Sequence, residues 1–231
     1  MLRPSRNWPL SSPSSSEDYR VGMKLTTSSF EPGSPIPARY AFAQPHPETH
    51  VALAENVNPQ LGWTDVPDGT MSFALICHDY DVPSVGDDVN QDDREVPSDL
   101  PRVDFFHWVV SDLPSDLRSI EEAQFADGVV VGGQDVAKGP NGSRQGTNDF
   151  TGWFAGDPDM EGHYYGYDGP APPWNDSIIH HYVFTLFALD LKTVPLEGSF
   201  NGHELREAIA GHVLAEASLE GTYTQNPRLL A

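Results

Sequence analysis

The 231-residue chain carries 34 acidic against 13 basic residues, a formal net charge of −21, and lysine occurs only at Lys24, Lys138 and Lys192. Neutralising a nucleic-acid backbone or an anionic bilayer needs clustered Lys and Arg, so nucleic-acid binding and membrane adsorption are excluded as primary roles. The acidic, lysine-poor balance resembles that of proteins from salt-loving microbes, with an acidic mesophilic protein as the alternative.

Residues 1–20 are rich in Ser and Pro, centred on Ser11-Ser12-Pro13-Ser14-Ser15-Ser16, and read as a disordered leader before a single domain over 21–231. Trp8-Pro9-Leu10 before a serine tract is not a signal-peptide core, and no apolar run approaches a membrane span, so a cytoplasmic location is expected. The 20 glycines and 21 prolines fit many turns between short strands. From Met23 to Tyr40 short extended pieces are broken by Pro32, Gly33, Pro35 and Pro37. Asn58-Pro59-Gln60-Leu61-Gly62-Trp63 then leads through a Pro67-Asp68-Gly69 turn into an apolar strand over 71–77. Cys77 is the single cysteine, so no intramolecular disulfide forms, and it reads as a small buried core residue.

Residues 84–102 form a polar insertion, a surface loop and a candidate lid, whose acidic run lacks calcium-loop spacing. Val103–Val110 and Ile178–Leu191 read as strands, joined through a long packed loop at 139–177. Alternation in the second of these strands puts His180, Tyr182, Phe184, Leu186 and Ala188 on one face. His181, Val183, Thr185, Phe187 and Leu189 fall on the other, which suggests a central strand covered on both sides. The spacing of Leu205, Ile209, Val213 and Leu214, with Asn201 as cap and Glu204 three residues on, predicts a helix over about 202–216. A closing strand follows at 218–224. The simplest assembly is mostly β, an antiparallel β-sandwich with one C-terminal α-helix and long loops.

Several ionisable residues interrupt these apolar segments. Asp79 and Asp81 precede Pro83, and His107 lies between Phe105-Phe106 and Trp108-Val109-Val110. His180 shares a face with Tyr182. Taken singly, the aspartates read as turn residues and each histidine as a hydrogen-bonded core residue. Taken together they could line a donor-rich cup, with Asp79 holding one imidazole in its protonated form, suited to phosphate or carboxylate. At roughly 1 M salt the Debye length is about 3 Å, so surface carboxylates do not bar a small anion from such a cup.

In their order along the chain these residues resemble the phosphatidylethanolamine-binding protein family, also called the Raf kinase inhibitor-like family, in its prokaryotic branch. Asp79-Tyr80-Asp81-Val82-Pro83 is similar to the family's Asp-Pro-Asp-x-Pro, with Tyr80 in place of proline. Phe106-His107-Trp108-Val109-Val110 is similar to its histidine strand, and Asn58 to Trp63 to its early Pro-x-Leu-x-Trp segment. Ile178-Ile179-His180-His181-Tyr182 stands where the family has Gly-x-His-Arg-Tyr, after a Gly169-Pro170-Ala171-Pro172-Pro173 loop. The resemblance extends from about Leu25 to Tyr223 and implies a β-sandwich with an anion pocket at one end. By matching motif that pocket is lined by Asp79, Asp81, Pro83, His107, Gly169, Ala171, Pro172, Pro173, His180 and Tyr182, with the Ala171 N–H as a further donor. His181 replaces the motif arginine and faces away from His180, so its role is expected to be structural.

The resemblance implies non-catalytic binding of a small anionic, headgroup-like ligand such as a phospholipid headgroup, with no cofactor and no metal. A regulatory role towards a kinase or protease partner and a homodimer both stay open. The alternative is a hydrolase or metal-dependent enzyme using the same His/Asp cluster, although no Gly-x-Ser-x-Gly elbow is present and Ser84 has no evident base. For the binding reading, a phosphate ligand is expected to bind better at mildly acid pH, through a protonated His107 or His180.

Overall fold

The computed structural model describes residues 22–230, so the leader expected over 1–20 lies outside them. The strands are β1 (Lys24–Thr26), β2 (Ala43–His46), β3 (His50–Leu53), β4 (Leu61–Thr64), β5 (Ser72–Pro83), β6 (Arg102–Pro114), β7 (Ser119–Ile120), β8 (Arg144–Gln145), β9 (His180–Leu189) and β10 (Val213–Tyr223). The helices are α1 (Phe150–Trp153) and α2 (Gly202–Ile209). Five strands form an antiparallel sheet in the order β10-β9-β5-β6-β8; β1-β4-β7 form a smaller sheet, and β2-β3 a hairpin.

The run Phe73 to Cys77 is apolar at every position because β5 is the central strand and both of its faces are covered. Phe73, Leu75 and Cys77 face the small sheet, where they meet Leu25, Leu61, Trp63 and Ile120 together with Trp108, Phe184 and Leu186. Ala74 and Ile76 face the opposite way and pack with Phe106 and Val109 beneath Leu205 and Ile209 of α2. The architecture is therefore mostly β, two antiparallel sheets face to face with a helix on the outer side. Burial pushes the Cys77 thiol well above its ordinary pKa. Among the described residues, no helix is long and apolar enough to cross a membrane.

Several element boundaries differ from the sequence expectation. The helix ends at Ile209 rather than near 216: Ala210 leaves helical geometry and Gly211 takes a left-handed φ of 83°, with the His212 N–H closing onto the Ile209 carbonyl. Val213 and Leu214, which fit the helical spacing, instead begin β10 and lie exposed. That strand pairs with β9 over its length, which outweighs the local helical pattern. β5 runs on to Pro83, so Asp79 and Asp81 lie within a strand and not in the turn after it. In β9 only the end near Phe187 and Leu189 is covered by the α2 layer, whereas His181, Val183 and Thr185 stay half-buried.

The surface loop expected over 84–102 ends at Pro101, where β6 begins, and the Asn175 side chain is one of its anchors. Asn175 Nδ2 donates to the carbonyls of Asp88, Gln91 and Arg94 at 2.8, 3.2 and 2.9 Å, and its Oδ1 accepts from the Asn90 N–H at 2.9 Å. Val89 and Val96 of this loop are buried, and Ser84, Val85, Gly86, Val89 and Asn90 form one wall of a cavity at the end of the central strands.

α2 starts with a reciprocal cap: Asn201 Oδ1 accepts from the Glu204 N–H at 3.0 Å, and Glu204 Oε2 accepts from the Asn201 N–H at 2.9 Å. Replacing Asn201 by Ala leaves one of these amides without its side-chain partner, and an expected loss of about 1 kcal/mol is checked by the urea midpoint. An unchanged midpoint would mean that packing of Leu205 and Ile209 alone holds the helix.

Candidate ligand-binding site

The register of the large sheet brings the sequence candidates together. Asp79 on β5 stands opposite Tyr182 of β9 on one side and Phe105 of β6 on the other. The ladder is irregular between Asp79 and Val82, and such a break in register re-aims side chains near the strand end. His107 packs edge-on against Tyr182, with ring centres 5.1 Å apart, and lies 5.5 Å from Phe150. These residues close the bottom of a cavity of about 440 Å³. That size falls in the range of ~300–1,000 Å³ usual for small-molecule sites.

Of the residues named from sequence, Asp79, Pro83, His107, Ala171, Pro172, Pro173 and Tyr182 line this cavity. Asp81, Gly169 and His180 do not, and each has a structural reason. Asp81 Oδ2 accepts from the backbone N–H of His181 at 2.9 Å and lies 2.7 Å from its Nδ1. Gly169 donates its N–H to Asn56 Oδ1 at 2.8 Å, and a side chain there would strike the Tyr40 carbonyl oxygen at 2.0 Å. His180 is sealed behind Asp79, with no exposed surface.

His180 belongs to a buried chain of alternating charge. Its Nδ1 is 2.7 Å from Asp79 Oδ2 and its Nε2 is 3.0 Å from Asp176 Oδ2. Arg102 grips Asp176 with both terminal nitrogens, at 2.6 and 3.1 Å, and donates further to the Asp81 and Pro97 carbonyls at 2.7 and 2.9 Å. Burial disfavours the charged ring, but the carboxylates on its two nitrogens outweigh burial and push His180 up to about 9. Asp176 is held below its ordinary value because its bonds to His180 and Arg102 outweigh its own burial.

His107 has the opposite character. Burial lowers its pKa to about 4, and the Asp79 charge only partly offsets this. Its Nδ1 lies 2.8 Å from the Asp168 carbonyl oxygen, an acceptor, so the neutral ring carries its proton on Nδ1. Nε2, the other ring nitrogen, is then left able to accept. Burial, the Asp79 charge and a long hydrogen bond towards Asp79 raise the pKa of the buried Tyr182 hydroxyl well above the usual value, and it has no partner at ordinary hydrogen-bond distance. The expected donor-rich cup is therefore an acceptor-rich one: the cationic ring lies out of reach and the reachable ring is neutral.

Residues that carry no motif shape the rest of the site. Asp168 receives Asn56 Nδ2 at 2.8 Å and Asn148 Nδ2 at 2.7 Å, yet burial still raises it to about 7. It fixes the backbone that holds His107. Phe42, Phe105, Phe150 and Phe154 form an aromatic wall, and Leu53, Val85 and Trp153 stand exposed on the cavity lining. Asp176 could have been suspected from its position four residues before His180, but nothing in the sequence marks Arg102 or Gln225. His181 stacks on Tyr80 at 5.4 Å on the outer face, away from the cavity.

A sandwich with a small, partly apolar cavity at the end of its central strands is the architecture that the motif resemblance implies. The pattern of the phosphatidylethanolamine-binding protein family matches residues 26–224, and the chain belongs to that family, in its prokaryotic branch. It is 33% identical over 201 residues to a UPF0098 protein of Methanothermobacter thermautotrophicus, covering 87% of this chain and 98% of that one. The UPF0098 protein YbhB of Escherichia coli is 29% identical over 202 residues, 87% of this chain and all of its own. In fold the chain is similar to Escherichia coli YbcL, whose crystal structure is described as a new member of the mammalian PEBP family. That likeness has a TM-score of 0.64 at 24% identity, over 88% of this chain and 99% of YbcL.

The two histidines give stability opposite pH dependences. His180, with its pKa raised, stabilises fully below its unfolded value near 6.5, and this is lost as pH rises through about 9. The interval is worth about 3 kcal/mol. Raised Asp168 adds an earlier loss as pH rises through about 7, and depressed His107 a loss as pH falls from 6.5 through about 4. Thermal melts are therefore expected to show a fall in stability that begins above about pH 6.5 and is complete near pH 9. His180→Asn should remove that step and lower stability at neutral pH by ~3–5 kcal/mol, because Asp79 and Asp176 lose their shared partner. An alkaline step unchanged in the variant would place the titration elsewhere.

Proposed function

We propose that the protein is a non-catalytic binding protein for a small amphiphilic acid. Such a ligand is a phosphate monoester or carboxylic acid that carries its own proton into the cavity base and lays an apolar body along the walls. The observation that carries this reading is the acceptor character of the base. Asp79 is a carboxylate, and His107 Nε2 offers a lone pair because Nδ1 is committed to the Asp168 carbonyl. A fully ionised dianion would face two acceptors, whereas a hydrogen phosphate gives one of them a proton. The remaining phosphate oxygens can take the Tyr182 hydroxyl and the Ala171 N–H.

Size supports the apolar body. At about 30 Å³ for each water-sized group, a cavity of 440 Å³ holds roughly fifteen, more than a bare phosphate fills. The aromatic wall beyond the polar base favours hydrocarbon there. The non-catalytic part rests on the absence of a poised base. His107, near 4, is a weak base at neutral pH, and both nitrogens of His180 are engaged by carboxylates.

Calorimetric titration with butyl phosphate across pH tests this reading. A phosphate monoester loses its second proton near pH ~6, so affinity is expected to fall about tenfold per unit above that point. Asp79→Asn should flatten the fall, because the new amide can donate where the carboxylate only accepted. Affinity that is flat or rises from pH 5 to 8 would contradict the proton-carrying head.

A further inference from the structure

Two buried polar atoms without partners belong to residues on the cavity wall: the Tyr182 hydroxyl and Gln225 Oε1. The hydroxyl is accounted for by the ligand head in the reading above. Gln225 is not. It follows β10, in a buried polar segment with Thr224 and Asn226. Its neighbour Asn226 is fully engaged, with Nδ2 donating to the Asp176 carbonyl at 2.7 Å and Oδ1 accepting from the Arg228 N–H at 3.0 Å. Gln225 is only half engaged: Nε2 donates to the Pro172 carbonyl at 2.6 Å. A carbonyl only accepts, so this bond fixes the amide orientation and leaves Oε1 as the end without a partner. A buried acceptor left unpaired is costly, and a ligand donor would relieve that cost.

We infer that Gln225 is a specificity-determining residue whose carbonyl oxygen selects ligands bearing a hydroxyl group on the apolar body. This inference rests on the proposed acid-head reading and adds a second polar contact to it. A hydroxyl fits better than an ammonium. Gln225 offers a neutral carbonyl, Asp79 is already matched by His180, and the wall around them is Phe42, Phe105 and Phe150, where a second unpaired charge would be poorly solvated. Discrimination of this kind is strong because a site built with a polar acceptor penalises the ligand that lacks the donor. Gln225 thus distinguishes hydroxylated from plain acids that the cavity base alone would treat alike.

The test is titration calorimetry at pH 5.5 with matched pairs: ethyl against 2-hydroxyethyl phosphate, and butyl against 4-hydroxybutyl phosphate, with the aminoalkyl phosphates as a third arm. The wild type is expected to bind the hydroxylated member about tenfold more tightly at one chain length, and to rank it above the amine. The hydroxyl-to-plain ratio should collapse to near one in Gln225→Met and persist in Gln225→Glu, which keeps an acceptor. Equal affinities within both wild-type pairs, an amine that outranks the hydroxyl, or a ratio that survives in Gln225→Met would each overturn the inference while alkyl phosphate binding stood. No binding by any of these phosphates would overturn the acid-head reading and this inference together.

Discussion

A buried chain of four alternating charges, Asp79, His180, Asp176 and Arg102, sets the conditions for everything around the cavity. Charges this deep are tolerated only when each meets its opposite with good geometry, and here every link is a hydrogen bond of 2.6–3.1 Å. The chain ties β5, β9, β6 and the loop before β9 into one unit. It also decides the charge of the site, because the cationic imidazole of His180 is engaged by Asp79 and Asp176 behind the cavity. The cavity therefore receives the carboxylate and not the imidazolium.

His107 completes that arrangement from the other side. It is as deeply buried as His180 but has a carbonyl, not a carboxylate, on its inner nitrogen, so burial prevails and the ring is neutral. Two buried histidines, on β6 and β9 either side of β5, thus differ in charge because one meets a carbonyl and the other carboxylates. Asp168 matters through its backbone as much as its side chain. The two asparagines that pin its carboxyl keep its carbonyl aimed at His107.

Much of this was legible in the sequence where the signal was local. Apolar runs located three of the four long strands, β5, β6 and β9, the alternation in His180 to Ala188 assigned one buried face, and the Asn201/Glu204 spacing found the helix start. The helix end was misjudged because Val213 and Leu214 satisfy a helical period that Gly211 and pairing to β9 override. The motif residues were found, but their roles were not all legible. Nothing in the order Asp79, Asp81, His180 tells which face the cavity and which act behind it, since that depends on partners 74 to 101 residues away. Arg102, Asp168 and Gln225 escaped for the same reason: each is defined by a long-range hydrogen bond and by no motif. The split of protonation between the two histidines could not be read without knowing that one inner partner is a carboxylate and the other a carbonyl.

The most direct measurement is nitrogen NMR of the histidine side chains at pH 7.5, with and without butyl phosphate. Both nitrogens of His180 should carry protons and be unmoved by ligand, whereas His107 should be neutral, protonated on Nδ1, with only its Nε2 signal shifting on binding. A neutral His180, or a His107 that is cationic in the free protein, would contradict the account of how this cavity is charged.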